Sequence, residues 1–93
     1  MKRIFEWDEA KAKANLKKHN VSFDEGTTVF NDPFTITIPD PDHSQDEERL
    51  IDIGASDKNH ILVVCYTERE ANIRIINCRK ANPTERRMYE ENN

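Results

Sequence analysis

Short runs of hydrophobic residues in the second half of the chain predict four antiparallel strands. The runs cover residues 34–38, 49–53, 61–66 and 73–78. They alternate apolar with polar positions or are rich in β-branched residues, and polar segments separate them, as is typical of strands and turns. The last two runs, joined by the polar residues 67–72, predict a β-hairpin.

The pattern near the N-terminus predicts a short edge strand over residues 3–7, followed by two short helices. Asp8 suits the N-cap of the first helix, because its carboxylate can accept a hydrogen bond from a free backbone N–H. This helix runs to residue 18 or 19, where Asn20 can adopt the left-handed conformation that ends many helices. Ser22 caps a second helix, which ends by residue 31 because a proline two positions later disfavours helical dihedrals in the residue before it.

A third helix is predicted after the hairpin, where residues 81–84 lead into a segment rich in arginine. The order is then a short strand, two helices, four antiparallel strands and a helix. Because helices and strands are segregated along the chain, the order indicates an α+β fold with four antiparallel strands between two N-terminal helices and a C-terminal helix. The 93 residues suffice for a single domain with one modest core.

Composition excludes several classes of protein. No apolar run approaches the ~20 residues that a membrane-spanning helix requires, and the N-terminus lacks the apolar core of a signal peptide. We therefore expect a cytoplasmic protein with no membrane association. Cys65 and Cys78 are expected to be small buried thiols rather than a disulfide. The two cysteines and three histidines show no zinc spacing, and no glycine-rich phosphate loop is present, so we expect neither a metal nor a cofactor.

Charge is distributed unevenly along the chain, although the net charge is only −4. Residues 1–20 contain six Lys or Arg against three Asp or Glu, residues 21–57 one against ten, and residues 58–93 seven against five. An acidic middle between two basic ends predicts a surface with separated poles, one able to face an anion and one able to face a cationic partner. Within the middle, residues 40–48 predict an acidic loop in which His43 is solvated.

Three arginines on the predicted strands are candidates for binding an anion. Arg49 opens one strand, Arg74 interrupts another and Arg79 ends it. In a regular strand Arg74 and Arg79 point to opposite faces. One is then expected to pair with an acid such as Glu6 or Glu85, and the other to hold a phosphate. We favour Arg79 for the functional role, because a strand end is more accessible than a strand middle, with Arg49 as its expected neighbour in the sheet.

Two further sets of residues admit either a functional or a purely structural interpretation. Lys18 and His19 lie near Lys11 and Asn15 on one side of the first helix, and His19 is the best candidate here for a group that titrates near neutral pH. A solvated cationic last turn would also explain them, since cations favour a helix C-terminus. Glu85 in the last helix belongs either to a functional site or to a solvated helix face. The residues alone therefore indicate a small α+β domain with an anion site.

Four blocks of the sequence resemble the BrnT family of bacterial toxins, in family order and over nearly the whole chain. The blocks are residues 5–23 (FEWDEAKAKANLKKHNVSF), 47–56 (EERLIDIGAS), 62–69 (LVVCYTER) and 73–90 (IRIINCRKANPTERRMYE). The chain departs from the family pattern at Asn77 and Cys78, where Ser-Ala is usual, at His60, where arginine is common, and at Pro83, which begins the last helix. None of these departures changes Arg79 or Glu85.

The resemblance implies a RelE-like fold, in which two N-terminal helices pack on a four-stranded antiparallel sheet with a C-terminal helix. The same resemblance implies a ribonuclease that cleaves RNA without a metal and so blocks translation. It also implies a BrnA-like antitoxin partner with a ribbon-helix-helix domain, through which the pair would bind operator DNA and repress its own operon. The site residues it implies are Arg49, Arg79, Glu85, Lys18 and His19. The arginines would stabilise charge at the reacting phosphate, while His19 or Glu85 would move protons.

One alternative stays open at this point. The net negative charge and the lack of a nucleophile motif are also compatible with a non-catalytic binding module. Such a module would act only with a DNA-binding partner in autoregulation of the operon.

Overall fold

The computed structural model describes residues 4–40 and 47–92. The elements in these ranges are β1 (Ile4–Glu6), α1 (Glu9–His19), α2 (Phe23–Thr28), a 3-10 turn (Val29–Asn31), β2 (Ile36–Pro39), β3 (Arg49–Ala55), β4 (Ile61–Arg69), β5 (Asn72–Lys80) and α3 (Pro83–Glu91). This order confirms the predicted α+β class. His43 and most of the predicted acidic loop lie outside the described residues.

The sheet has five strands in the order β1-β5-β4-β3-β2 and is mixed. The adjacent pairs β2–β3, β3–β4 and β4–β5 are antiparallel, as predicted. The predicted N-terminal edge strand is also present, but β1 pairs with β5 in parallel, through Ile4 with Asn72 and Glu6 with Arg74. The description of the sheet as four-stranded and antiparallel is therefore wrong. The parallel pair arises because the whole chain from α1 to β4 lies between the two strands, which makes a long crossover connection.

The caps of the first two helices follow the prediction. The Asp8 side chain accepts a hydrogen bond from the backbone N–H of Lys11, and Asn20 ends α1 in the left-handed region with φ 58°. The Ser22 side chain accepts from the backbone N–H of Glu25 at the start of α2. Each of these signals acts within four residues of its position, so the sequence carries them directly.

The hairpin between β4 and β5 is tighter than predicted. Pairing continues to Arg69 opposite Asn72, so the turn is reduced from residues 67–72 to Glu70 and Ala71. Glu70 has φ 56°, the left-handed geometry that a tight hairpin requires. The polar residues at the end of β4 therefore extend the strands instead of forming a loop.

The hydrophobic core lies between the N-terminal helices and one face of the sheet. Its buried members are Val21, Phe23, Val29, Leu62, Val64, Tyr66, Ile73, Ile75 and Cys78. The rings of Phe5, Phe30 and Tyr66 form a chain across it, with centroids 5.1 and 4.9 Å apart. Cys65 and Cys78 are both buried free thiols, as predicted. Burial raises the pKa of Cys78 to about 12, so this thiol has almost no nucleophilic thiolate at neutral pH.

A β-bulge in β5 changes which face its arginines occupy. Cys65 pairs with Asn77 and the next residue, Tyr66, pairs with Ile75, so one extra residue of β5 is accommodated between these pairs. The bulge shifts the alternation by one position. Arg74 lies opposite Thr67 and Arg79 opposite Val63, two positions of β4 that share the face turned away from the core. The prediction that the two arginines face opposite ways is therefore wrong.

Candidate functional site

A cationic groove lies between α1 and the outer edge of β5. Strand β1 covers only Asn72 to Arg74 of that edge, which leaves the second half of β5 beside α1. The groove measures about 460 Å³, and the residues that line it are Lys11, Ala14, Asn15, Lys18, His19, Ile76, Asn77 and Arg79. It thus contains three of the five predicted site residues, namely Lys18, His19 and Arg79.

The buried side chain of Asn15 fixes the wall of this groove. Its Nδ2 donates to the carbonyl of Cys78 at 2.7 Å and to the carbonyl of Val21 at 3.0 Å, and its Oδ1 accepts from the N–H of Cys78 at 3.1 Å. Because Asn15 lies mid-helix and Cys78 lies one residue before Arg79, these bonds set α1 beside the end of β5. Sequence reasoning placed Asn15 near the cations but missed this role.

Arg79 and Glu85 form a bidentate ion pair at the mouth of the groove. Arg79 Nη1 and Nη2 donate to the two carboxylate oxygens of Glu85 at 2.7 and 2.8 Å. Glu85 Oε1 also accepts from the N–H of Asn82, whose side chain caps α3 in return. The hydrogen bond from Arg79 is the largest cause that holds the pKa of Glu85 below its usual value, so Glu85 is ionised. We expected only one of Arg74 and Arg79 to pair with an acid, and Arg79 to be the other one, so the ion pair between Arg79 and Glu85 departs from the prediction.

Lys18 and His19 reach the groove from the last turn of α1. Lys18 is exposed and His19 is half-buried. Within the described ranges, no hydrogen bond or ion pair engages the side chain of either residue. Lys11, earlier on the same helix, also lines the groove. Lys11, Lys18 and His19 therefore add positive charge beside Arg79. The groove can therefore receive an anion such as a phosphodiester.

Arg49 lies away from this groove, so the expectation that it neighbours Arg79 is wrong. Arg49 pairs with Thr67, which pairs with Arg74, whereas Arg79 pairs with Val63. The two pairs lie four positions apart along β4, or about 13 Å at the rise of a strand. The reason is the register: Arg49 begins β3 beside the tight hairpin turn, while Arg79 lies near the other end of β5.

Arg49 belongs instead to a second arginine cluster. Arg69 Nε and Nη2 donate to Glu47 at 2.9 and 2.8 Å, and Arg74 lies 3.8 Å from Glu6. The hydrogen bond from Arg69 is the largest cause that lowers the pKa of Glu47, and the charges of Arg74 and Arg49 lower it further. The predicted pairing of Arg74 with Glu6 is confirmed. The convergence of three arginines was missed, because it depends on the strand register and on the bulge.

A buried carboxylate network lies at the opposite end of β3. Glu25 Oε2 accepts from Ser56 Oγ at 2.6 Å and lies 2.8 Å from His60 Nδ1. Burial alone would raise the pKa of Glu25, but the hydrogen bonds from Ser56 and His60 outweigh it, so the pKa is lowered overall. Ser56 is itself buried and its hydroxyl is committed to Glu25. This network therefore ties α2 to the turn after β3 and offers no exposed nucleophile.

Two other features bear on function. In the described part of the chain, no three His, Cys, Asp or Glu side chains are grouped closely enough to hold a metal ion. None of the helices there is long and apolar enough to cross a membrane.

Comparison with known proteins gives a family and a fold. A family model described as the ribonuclease toxin BrnT of type II toxin-antitoxin systems matches residues 7–85. The chain is also similar to the crystal structure of the Brucella abortus ribonuclease toxin BrnT, with a TM-score of 0.69 and 21% sequence identity over 87% of this chain and 99% of that chain. No match was found among curated proteins. At 21% identity the structural similarity shows the fold, whereas the family match covers most of the sequence.

Proposed function

Because the chain belongs to the BrnT family of ribonuclease toxins of type II toxin-antitoxin systems, we propose that it cleaves RNA at the groove between α1 and β5 and so blocks translation. The observation that carries this proposal is the grouping of Lys18, His19 and Arg79 in one open groove, with Glu85 bound to Arg79. A phosphodiester in the groove would meet several cations and a group able to move protons.

Cleavage of RNA next to a 2′-hydroxyl needs three contributions. The 2′-oxygen attacks the adjacent phosphorus while its proton passes to a base, and the bond to the leaving 5′-oxygen breaks as that oxygen gains a proton. Negative charge develops on the phosphate oxygens and must be stabilised. The residues of the groove can supply each contribution, which is why we propose a reaction that does not depend on a metal.

Arg79 is the proposed stabiliser of the developing charge. A guanidinium has five N–H donors, so the two bonds to Glu85 leave others for phosphate oxygens. Lys18 would add charge from the opposite wall. Glu85 acts chiefly as a positioning residue, because an ionised carboxylate with a lowered pKa is a weak base but holds a guanidinium in a fixed orientation.

His19 is the proposed proton-transfer group. Imidazole can both accept and donate a proton near neutral pH, and this one lies half-buried in the groove. Arg49, the fifth residue implied by the family resemblance, would act on the RNA at a distance from the cleaved bond. It lies two strands away from Arg79, and the residues of β4 with which the two pair are about 13 Å apart along that strand.

The proposed partner is a BrnA-like antitoxin with a ribbon-helix-helix domain. A type II system pairs a toxin with a protein antitoxin, and the acidic residues 21–57 would complement a cationic one. Operator DNA would be bound through the antitoxin, since the toxin has a net charge of −4. We propose that the complex acts in the cytoplasm, where its RNA substrate and operator would be found.

Induction of the protein alone in bacteria tests this function. Growth should stop and RNA should be fragmented, whereas Arg79→Ala at equal soluble expression should restore both. Lys13→Gln, an exposed cation of α1 outside the groove, is the matched control and should stay toxic. Cleavage by the purified protein in the presence of a chelator tests metal independence. Normal growth with intact RNA at high soluble expression would favour the non-catalytic binding module instead.

A further inference from the structure

Thr67 lies buried between two arginines on the face of the sheet turned away from the core. It pairs directly with Arg49 on one side and with Arg74 on the other, so the three side chains stand next to one another on that face. Thr67 is only 3% exposed. Its Oγ1 is the one buried side-chain polar atom among the described residues that has no hydrogen-bond partner. A buried hydroxyl without a partner destabilises a fold, and this one retains an unused donor beside the two arginines.

The arginines around Thr67 already hold an anion. Arg69 donates two hydrogen bonds to the Glu47 carboxylate. The positive charges of Arg74 and Arg49 also stabilise the ionised form of that carboxylate. Both side chains of the ion pair are nearly half exposed. A planar carboxylate in such a setting occupies the position that a phosphate would take, because guanidinium groups bind both through the same paired donors.

We propose that Arg49, Arg69 and Arg74, with the Thr67 hydroxyl between them, form a second phosphate-binding position that holds RNA in place of the Glu47 carboxylate. The proposal rests on the proposed ribonuclease function, since it takes RNA as the ligand. The bulge in β5 supports it, because it brings Arg74 to the same face as Arg79. RNA bound at Arg79 can then run along this face to the second position, about 13 Å away.

Binding of RNA whose 2′-hydroxyls are methylated provides the test, because such RNA cannot be cleaved by attack of that oxygen. Arg74→Gln should weaken binding roughly fivefold to tenfold. It should also make the fall of the logarithm of the binding constant with the logarithm of salt concentration shallower by about 0.7, the value for one phosphate contact on a single strand. On cleavable RNA it should raise KM and leave kcat unchanged. Lys13→Gln is the matched control for loss of one exposed cation.

Two further variants separate this role from a structural one. Glu47→Gln removes the competing carboxylate and should tighten RNA binding, while the neighbouring Glu48→Gln should have the smaller effect. Thr67→Val, which keeps the shape of the side chain and suits a strand, should weaken RNA binding in a protein that remains folded.

The outcomes are distinct from those for the ribonuclease function. If the protein cleaves RNA but Arg74→Gln and Thr67→Val leave binding and its salt slope unchanged, the second position is wrong and the function stands. If the protein binds RNA with this dependence on Arg74 but does not cleave it, the second position stands and the function is wrong. Loss of affinity for inorganic phosphate in Arg74→Gln, with affinity for RNA unchanged, would also overturn the second position.

Discussion

The carboxamide of Asn15 forms two hydrogen bonds to the backbone of Cys78, one to its carbonyl and one from its N–H, at 2.7 and 3.1 Å. This is the pattern that a residue of a neighbouring strand would make. It occurs just beyond the end of β1, where β5 becomes an edge strand. Asn15 therefore satisfies a buried part of that edge and at the same time fixes α1 as a wall of the candidate site.

Replacing Asn15 with Ala should destabilise the protein by about 2–4 kcal/mol, because the N–H and carbonyl of Cys78 would be left buried without partners. Urea unfolding measures this as a lower midpoint with an unchanged slope. Lys17→Ala, at an exposed position of the same helix, should change stability by less than about 0.5 kcal/mol. Equal stability of the two variants would contradict the role given to Asn15.

Arg79→Lys and Glu85→Gln should each lower kcat for RNA cleavage by roughly tenfold to a hundredfold, because both lose the bidentate ion pair that orients the guanidinium. The free energy of unfolding should change by less than about 1 kcal/mol, since the Arg79 side chain is 38% exposed and solvent screens the pair. Initial rates on a purified RNA would measure the effect. Arg86→Gln, at an exposed position of α3, is the control, and full activity of Glu85→Gln would refute the positioning role.

Protonation of Glu25 should lower the free energy of unfolding at acidic pH. Its pKa in the folded state is lowered, because the bonds from Ser56 and His60 outweigh the effect of burial. A carboxylate of this kind contributes stability fully above its ordinary pKa of 4.5 and loses that contribution as the pH falls through the folded-state value. Urea unfolding of wild type between about pH 6 and 3 should therefore show a fall that is smaller in Glu25→Gln. Glu90→Gln, an exposed carboxylate, should keep the wild-type dependence.

Local signals explain why most elements could be predicted from the sequence. Asp8, Asn20 and Ser22 act on backbone groups within a few residues, and all three take the predicted cap positions. The parallel pairing of β1 could not be predicted in this way. It depends on contacts between residues about seventy positions apart, such as Glu6 with Arg74, which leave no periodic pattern in either segment.

The same distinction applies to the site residues. Lys18 and His19 lie in one helical turn and line the groove together with Arg79. The residues alone did not predict this meeting, since only the family resemblance placed all three in one site. The separation of Arg49 from Arg79 could not be read from the sequence, because it depends on the register between β3 and β4 and on the unpaired residue of β5. A shift of one residue in a strand changes the face of every side chain that follows. The role of these arginines therefore stays a prediction, and their arrangement could be seen only in the structure.

Thr67→Val should stabilise the free protein by about 1 kcal/mol, because a buried hydroxyl without a partner is replaced by a methyl group of similar shape. Thr35→Val is the control, and it should change the free energy of unfolding in the opposite direction. Its hydroxyl donates to the carbonyl of Val29 at 3.0 Å, so its removal should cost about 1 kcal/mol. Thermal and urea unfolding of the two variants without RNA measure the difference. A gain in stability combined with weaker RNA binding in Thr67→Val would show that the hydroxyl is kept for its ligand, whereas a loss of stability would show that it supports the fold.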